Sequence, residues 1–474
     1  MKIQIATIAL YTLLSLAASG QDMTISSTRR GSTKISIGHS YGIGNFNVES
    51  RGKIEISEDD KDVKGMSPDG YLEITKTVFG SRRSLIITPS GSGLKREYYE
   101  GRTSVAFEPE GRKWLMEILP ELVRTTTIGA ESRVNRYYRQ GGSKAVIDEI
   151  GRLESDYVKA HYANALMDLN IPVKDYATIT AQVGASIESD HYLTEFLKKN
   201  MVKLMQSKEA AEAVFAATQK MESDHYKTEV IKEGLRIGPV SLESVKILMT
   251  ATSNMESDHY KTEVLTALLK QNNLTDPIIG EIIAATKSID SDHYRTVVLN
   301  KALEKQDLSA ASYQKVLESI KDIGSDHYKT EVLTHLLSNP LTPEAQSNLI
   351  TLLPSFESDH YVTTVANEFL KKQTLSEGVF QKLLDTMGHQ GSDYYDANFL
   401  QTALAQPNLT KQNLMAIIQS AGNIDSDHYV TEVLVQAAPK VKALNDQALK
   451  DAYRLAARKI ESETYYGRAL KAID

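Results

Sequence analysis

From Ser155 onward, apolar positions recur with a helical period nested inside a longer one. Numbering each unit from the serine of a Ser-Asp-His-Tyr tetrapeptide, positions +3, +7, +8 and +11 fall on one broad stripe at 100° per residue. In the unit that starts at Ser257 these are Tyr260, Val264, Leu265 and Leu268. A second stripe follows later in the unit, as at Leu349, Ile350 and Leu353. The tetrapeptide begins at Ser189, Ser223, Ser257, Ser291, Ser325, Ser358 and Ser426, with a Ser-Asp-Tyr-Tyr variant at Ser392 and degenerate copies at Ser155 and Ser462. Successive serines lie 34 residues apart, except for one interval of 33 and a last one of 36. A two-helix unit cannot bury such stripes alone, whereas stacking it on its neighbours can, so the pattern predicts an α-solenoid with atypical terminal units.

Within each unit a hydroxyl residue marks a second helix start: Ser241, Thr275, Ser309, Thr342, Ser376 and Thr410 lie 17 or 18 residues after their motif serine. Ser and Thr there suit helix N-caps, and Thr342-Pro343-Glu344 adds proline at the first helical position and an acid in the first turn. The same reasoning makes the motif serine a cap, the motif aspartate a complement to the helix dipole, and the motif tyrosine a core residue.

Ahead of the repeats the texture changes. Lys34–Ile37, Lys53–Ile56, Tyr71–Ile74 and Ser84–Thr88 are short, β-rich runs between Gly-, Asp- and Ser-containing turns, which predicts a small antiparallel domain of about five to seven strands. From Arg112 the period becomes helical, with helices expected near 112–124, 130–139 and 143–153, the last two punctuated by Gly141-Gly142. The N-terminus reads Met1-Lys2-Ile3, then an apolar run from Ile5 to Ala18, then Ser19-Gly20-Gln21, the pattern of an export signal too short to anchor. The predicted fold class is therefore α+β: a signal peptide (1–20), a β domain (21–110), a helical connector (111–154) and a solenoid of ten two-helix repeats of about 34 residues (155–474).

Composition narrows the function. The 474 residues contain no cysteine, which excludes disulfides, thiolate metal sites and cysteine nucleophiles. The net charge of -7 is uneven: residues 21–140 hold 19 Lys+Arg against 16 Asp+Glu, or +3, and residues 141–474 hold 34 against 45, or -11. An acidic array of that length argues against nucleic acid, because binding phosphates needs net cationic surface.

Ser, Asp and His in one tetrapeptide suggest a hydrolase, but consecutive helical residues point about 100° apart and cannot form a nucleophile–base–orienter chain. Neither a Gly-x-Ser-x-Gly elbow nor a phosphate-binding Gly-x-x-x-x-Gly-Lys occurs, and the β domain has one histidine, His39. Metal binding is weighed on the pairs one turn apart, His191/Glu195, His225/Glu229, His259/Glu263, His327/Glu331 and His428/Glu432. Two ligands per unit fall short of the four of a structural zinc site, and the glutamate is replaced in His293/Val297 and His360/Thr364. No metal and no cofactor are expected. What remains is a ladder of seven histidines with those five glutamates, either bonding neighbouring units together or presenting a repeated face to a partner.

Ile187-Glu188-Ser189-Asp190-His191-Tyr192, Met255-Glu256-Ser257-Asp258-His259-Tyr260-Lys261 and Ser155-Asp156-Tyr157-Val158-Lys159 resemble the tandem units of bacterial exported helical-repeat proteins. Those units are similar to the repeat extensions of zinc metallopeptidases of the beta-lactam-sensor type. The likeness extends through Gly93-Leu94-Lys95-Arg96-Glu97-Tyr98-Tyr99 and Trp114. This chain departs from the pattern by placing His where Tyr is usual, and it has no His-Glu-x-x-His, so peptidase activity does not carry over. The export-signal pattern predicts a periplasmic or secreted protein, and the resemblance to exported proteins agrees with it. Together these readings predict a non-enzymatic scaffold, not membrane-spanning once its signal is removed, that binds a protein or peptide, basic in character, through the solenoid surface. The alternative is an envelope enzyme, or an accessory or regulatory subunit of an envelope peptidase or sensor system.

Overall fold

A computed structural model describes residues 21–27, 33–39 and 44–474 apart from 239, 273, 306–307 and 389–390, with side chains from Phe46 onward. The expected leader, residues 1–20, lies outside the described residues. Two compact units, 1–237 and 238–474, divide the chain.

Among the described residues the first unit opens with nine strands: β1 (Gln21–Ser27), β2 (Thr33–His39), β3 (Gly44–Arg51), β4 (Ile54–Ile56), β5 (Val63–Met66), β6 (Tyr71–Val78), β7 (Ser81–Ser90), β8 (Gly93–Glu100) and β9 (Thr103–Val105). Seven form one antiparallel sheet in the order β1-β2-β3-β6-β7-β8-β9, and β4-β5 is a separate hairpin. Alternation does what the pleat requires: Phe46 and Val48, Leu72 and Ile74, and Leu85 and Ile87 all point to one face and are buried. That face is covered by helix α1 (Arg112–Thr125), whose Trp114, Leu115, Ile118, Leu119, Leu122 and Val123 belong to the same core. The sheet domain's core therefore runs past residue 110 into the first helix. Helix α2 (Ala130–Ile150) is broken where expected, at Gly141 and at Gly142, whose φ of 64° suits glycine.

Every A helix of the array starts at its motif acid: Asp156–Met167, Asp190–Leu204 and Asp224–Ile237 in the first unit, then Asp258–Leu269, Asp292–Leu303, Asp326–Leu336, Asp359–Lys372, Asp393–Leu404, Asp427–Leu444 and Glu463–Ile473 in the second. The B helices are Tyr176–Ser186 and Lys208–Thr218, then Leu242–Ser253, Asp276–Ala285, Ala310–Ile320, Pro343–Ile350, Glu377–Met387, Lys411–Ala421 and Gln447–Ala457. After Ser462 the described residues hold one helix, the A helix Glu463–Ile473. Within each unit A packs on A and B on B, burying stripes such as Val264, Leu265 and Leu268.

The two hydroxyl positions behave differently. Ser241, Ser309, Thr342, Ser376 and Thr410 accept from the amide three residues on at 3.0–3.3 Å, as N-caps should, while Thr275 makes no such bond. The motif serines stand at N-cap positions but their hydroxyls do not cap in Ser155, Ser189, Ser257, Ser291, Ser325, Ser358, Ser392, Ser426 or Ser462. The backbone enters the helix differently at the two positions: ψ is about 113–129° at these serines and 155–163° at the five capping residues.

What holds the motif serine is the aspartate of the preceding repeat. Asp156 Oδ2 accepts the amides of Glu188 (2.9 Å) and Ser189 (2.7 Å). Asp190 does the same for Glu222 and Ser223 and Asp326 for Glu357 and Ser358, while Asp427 accepts Glu461 on Oδ1 and Ser462 on Oδ2. The aspartate thus clamps the next repeat's loop, beyond the helix-dipole role read from its position.

Position +4 adds a second tie. Lys159, Lys261 and Lys329 reach their own Asp and also donate to a carbonyl before the next repeat, at Ser186, Ser288 and Ser355. Arg295 donates to the carbonyls of Ile289 and Asp322. Lys227, Lys261, Arg295 and Lys329 are buried. Next to them, at +5, Thr194, Thr228, Thr262, Thr296 and Thr363 are buried with hydroxyls that meet no protein partner. An unbonded buried hydroxyl is a cost without return, so Thr262→Val, nearly the same shape, should leave stability unchanged or raise it by about 1 kcal/mol in urea unfolding. A loss of that size would show that Thr262 has a partner after all.

Candidate functional site: a histidine–tyrosine row

The sequence places His at +2 and Tyr at +3, about 100° apart, which suggested a polar ladder beside a buried one. The structure joins them. In each repeat the histidine ring lies 5.0–5.3 Å from its own tyrosine, as in His191–Tyr192, His259–Tyr260 and His428–Tyr429. Within each unit it also meets the tyrosine of the following repeat. In the first unit the pair is His191–Tyr226 at 6.1 Å, with Tyr157–Tyr192 ahead of it at 5.8 Å. In the second unit the pairs are His259–Tyr294, His293–Tyr328, His327–Tyr361, His360–Tyr395 and His428–Tyr465, at 5.7–6.2 Å, with Tyr394–Tyr429 at 5.9 Å. Interplanar angles of 55–65° make these tilted or edge contacts, the geometry favoured by ring quadrupoles.

The row is partly wet. His225, His259, His293, His327, His360 and His428 are exposed, and Tyr192, Tyr226, Tyr260, Tyr294, Tyr328, Tyr361, Tyr395 and Tyr429 are half-buried. The tyrosines therefore rim the apolar stripe and do not fill it, because the ring at +3 leans along the helix end toward the neighbouring histidine. Burial, then the nearby Tyr157 and Asp156, raises the Tyr192 pKa above its ordinary value, which keeps the phenol neutral.

The glutamates at +6 do not form one uniform set with the histidines, which corrects the expected His/Glu ladder. Glu195 does not pair with His191: it is exposed and makes no hydrogen bond or ion pair among the described residues. What Glu195 contributes is charge, which adds to the stronger pull of Glu229 in raising the pKa of Lys198. His225 Nε2 and His259 Nε2 lie 3.9 Å from Glu229 and Glu263, longer than a hydrogen bond. Glu229 takes a 2.9 Å bond from Lys198 of the preceding repeat, which lowers its pKa. Glu331 accepts from Asn300 at 2.8 Å, and Glu432 pairs with Arg468 of the next repeat at 2.8 Å. Glu229, Glu331 and Glu432 thus link repeats laterally, because a donor one repeat away comes closer than the histidine one turn back. Among the described residues, no three His, Asp or Glu side chains gather in a way that could hold a metal ion, and no helix is long and apolar enough to cross a membrane.

Sequence reasoning missed the continuity of the row, although a signal was present. Position +2 is Tyr157 and Tyr394 in two repeats, His in seven and Thr464 in the last, so nine of the ten keep a ring there and not always an imidazole. It also missed the charged cluster at the base of the array in the first unit. There Arg133 is fully enclosed, bonded by Nε and Nη2 to Asp60 (3.1 and 2.9 Å), by Nη2 to Glu149 (2.7 Å) and by Nη1 to Tyr162 (2.5 Å). Arg136 joins Asp60 at 2.8 Å. Burial pushes the Tyr162 phenol up to about 12, so it stays protonated and donates to the Val123 carbonyl at 3.1 Å.

No protein-family model and no curated protein matches the chain. Among solved structures it is similar to one from the computational design of self-assembling cyclic homooligomers, at 12% identity, 73% coverage of this chain, 92% of that one and a TM-score of 0.10. It is also similar to a circular tandem repeat protein with a novel repeat topology, at 12% identity, 77% and 78% coverage and a TM-score of 0.13. Neither likeness says what this chain binds.

Proposed function

We propose that the protein is an exported, non-enzymatic scaffold that holds a basic protein segment or peptide along its histidine–tyrosine row. The observation that carries the reading is the row itself: within each unit, rings follow one another from repeat to repeat, in contact at one edge and open to solvent at the other. Stability asks little of its histidines. His259 keeps 54% of its side chain exposed and makes two tilted ring contacts, so His259→Ala should cost only about 0.5–1 kcal/mol. A ring retained at +2 for so small a return is better accounted for by contact with a partner. Exposed Glu188, Glu222, Glu256 and Glu357, each just before a motif serine, line the same helix ends. Lys or Arg side chains laid along the row would meet ring faces and carboxylates together. Export is supported by the basic start and apolar run before Gln21, and by the resemblance of the repeat units to those of exported proteins.

The test uses the mature chain from Gln21 and a fluorescently labelled panel of Lys/Arg-rich and acidic peptides. The basic set should bind, and changing His259, His293 and His327 together to alanine should weaken binding about tenfold at a temperature where the variant is fully folded. Equal binding of the acidic set, or a triple variant that binds as well as the parent, would leave the row as architecture only.

A further inference from the structure

The turn between β6 and β7 breaks the rule for its own geometry. Phe79 and Gly80 are its two central residues and both have positive φ, 47° and 81°. A two-residue hairpin turn of this kind favours Asn-Gly or Asp-Gly, because a left-handed backbone crowds a bulky side chain. Here the first position carries phenylalanine, and its ring is 87% exposed, the most exposed large apolar side chain among the described residues. Local strain and an unburied aromatic coincide, and neither contributes to the fold. Such a conflict marks a functional position.

The surroundings name the ligand class. Val78 beside it is also exposed. Arg82 and Arg83 follow the turn, both exposed. The β8–β9 turn lies alongside, since the Gly101 amide donates to the Arg82 carbonyl at 2.7 Å, and it presents exposed Arg102. Among the described residues, Glu100 stands opposite Arg83 in the register, Asp22 on β1 lies in the row of Arg82 with three strands between them, and Glu121 answers Lys76 rather than an arginine, so the basic groups nearest the turn outnumber the acids beside them. An apolar point surrounded by guanidinium groups is complementary to a surface that is apolar below and anionic above. We propose that this end of the sheet docks reversibly on an anionic lipid bilayer, with Phe79 entering the headgroup region and Arg82, Arg83 and Arg102 meeting phosphates.

Asparagine is the residue the turn prefers, so Phe79→Asn separates docking from folding. The mature chain is sedimented with phosphatidylcholine vesicles with or without one-third phosphatidylglycerol. The parent should bind the anionic vesicles only, and F79N should lose about tenfold or more in partitioning while its melting temperature holds or rises. Removing the arginines as R82Q, R83Q and R102Q should each weaken binding about fivefold, with the salt dependence reduced accordingly. Phe79→Trp gives a second readout: its emission should shift to the blue on anionic vesicles, over a constant background from buried Trp114. Binding that F79N leaves intact, equal binding to neutral vesicles, or no blue shift for F79W would overturn the proposal. Capture of a soluble polyanion unaffected by F79N, without vesicle binding, would also overturn it and leave a purely electrostatic patch.

Discussion

Arg133→Met should destabilise the first unit by about 3–5 kcal/mol, the range seen when one partner of a buried ion pair is removed. The side chains of Arg133 and Glu149 are fully buried, and Asp60 is 15% exposed. Methionine fills much of the volume but donates nothing. Asp60 would keep Arg136, whereas Glu149 would keep only Arg124 at 3.4 Å and Arg152 at 3.6 Å, both from partly exposed side chains. Asp60 sits between β4 and β5, Arg133 on α2 and Tyr162 on the first A helix, so the cluster fastens the hairpin and the array's base to one point. Trp114 is the chain's single tryptophan and lies in the sheet–α1 core, so its fluorescence in urea reports this unit specifically. Adding Glu149→Gln to Arg133→Met should recover part of the loss, since a buried charge without a partner costs more than a missing pair. A loss under about 1 kcal/mol for Arg133→Met would mean that water already reaches the cluster.

Much of the architecture was legible because repetition averages out local ambiguity. Each A helix begins one residue after its motif serine, and the strand-like runs at 34–37, 53–56, 71–74 and 84–88 fall in β2, β4, β6 and β7. The chemistry within the motif was less legible, and the reason is distance along the chain. Ser189 was read as a cap from its neighbours in sequence, but its amide is answered by Asp156, 33 positions away, and no local preference encodes that. The same distance limits the one-turn His/Glu reading: His225 and His259 stay within 3.9 Å of Glu229 and Glu263, but Glu229 also finds Lys198, 31 positions back, and Glu195 leaves His191 to the ring of Tyr226. Position +4 did hold a clue. Five repeats carry Lys159, Lys227, Lys261, Arg295 or Lys329 there, three carry Leu193, Val362 or Val430, and the remaining two Asp396 and Tyr466; a site that accepts either lysine or valine in most copies is buried with a partner available for the charge. Arg133, Glu149 and Asp60 offered no comparable pattern, being single residues brought together by the fold. The histidine row was half visible: its residues were named, but the ring contacts between repeats needed coordinates.

The aspartate clamp carries the other large effect. In the second unit Asp326 Oδ2 accepts the amides of Glu357 and Ser358, each at 2.8 Å, and its Oδ1 lies 3.4 Å from the ammonium of Lys329. Asp326→Ala should therefore cost about 2–4 kcal/mol: two charge-assisted bonds are lost, and a lysine that is 6% exposed keeps its charge without the carboxylate. Lys329 would retain only the Ser355 carbonyl and the Phe356 ring. In a stack where each repeat is stabilised by its neighbours, the loss falls on one junction, between the repeats beginning at Ser325 and Ser358. The unfolding curve should then broaden or split, with hydrogen exchange rising first in Asp359–Lys372 and in the loop before it. Asp326→Asn is the graded control. Its amide oxygen can still accept both backbone donors without the charge, so it should lose about half as much. A sharp single transition for Asp326→Ala, with protection unchanged around Ser358, would show that apolar contacts such as those of Val332, Val362 and Val365 couple these repeats without the clamp. The same clamp recurs at Asp156, Asp190, Asp258, Asp292, Asp393 and Asp427, so equivalent substitutions should weaken whichever junction they occupy. The effect should be greatest where a buried Lys or Arg shares the site, and smaller at Asp190, whose +4 neighbour is Leu193 and leaves no buried charge behind.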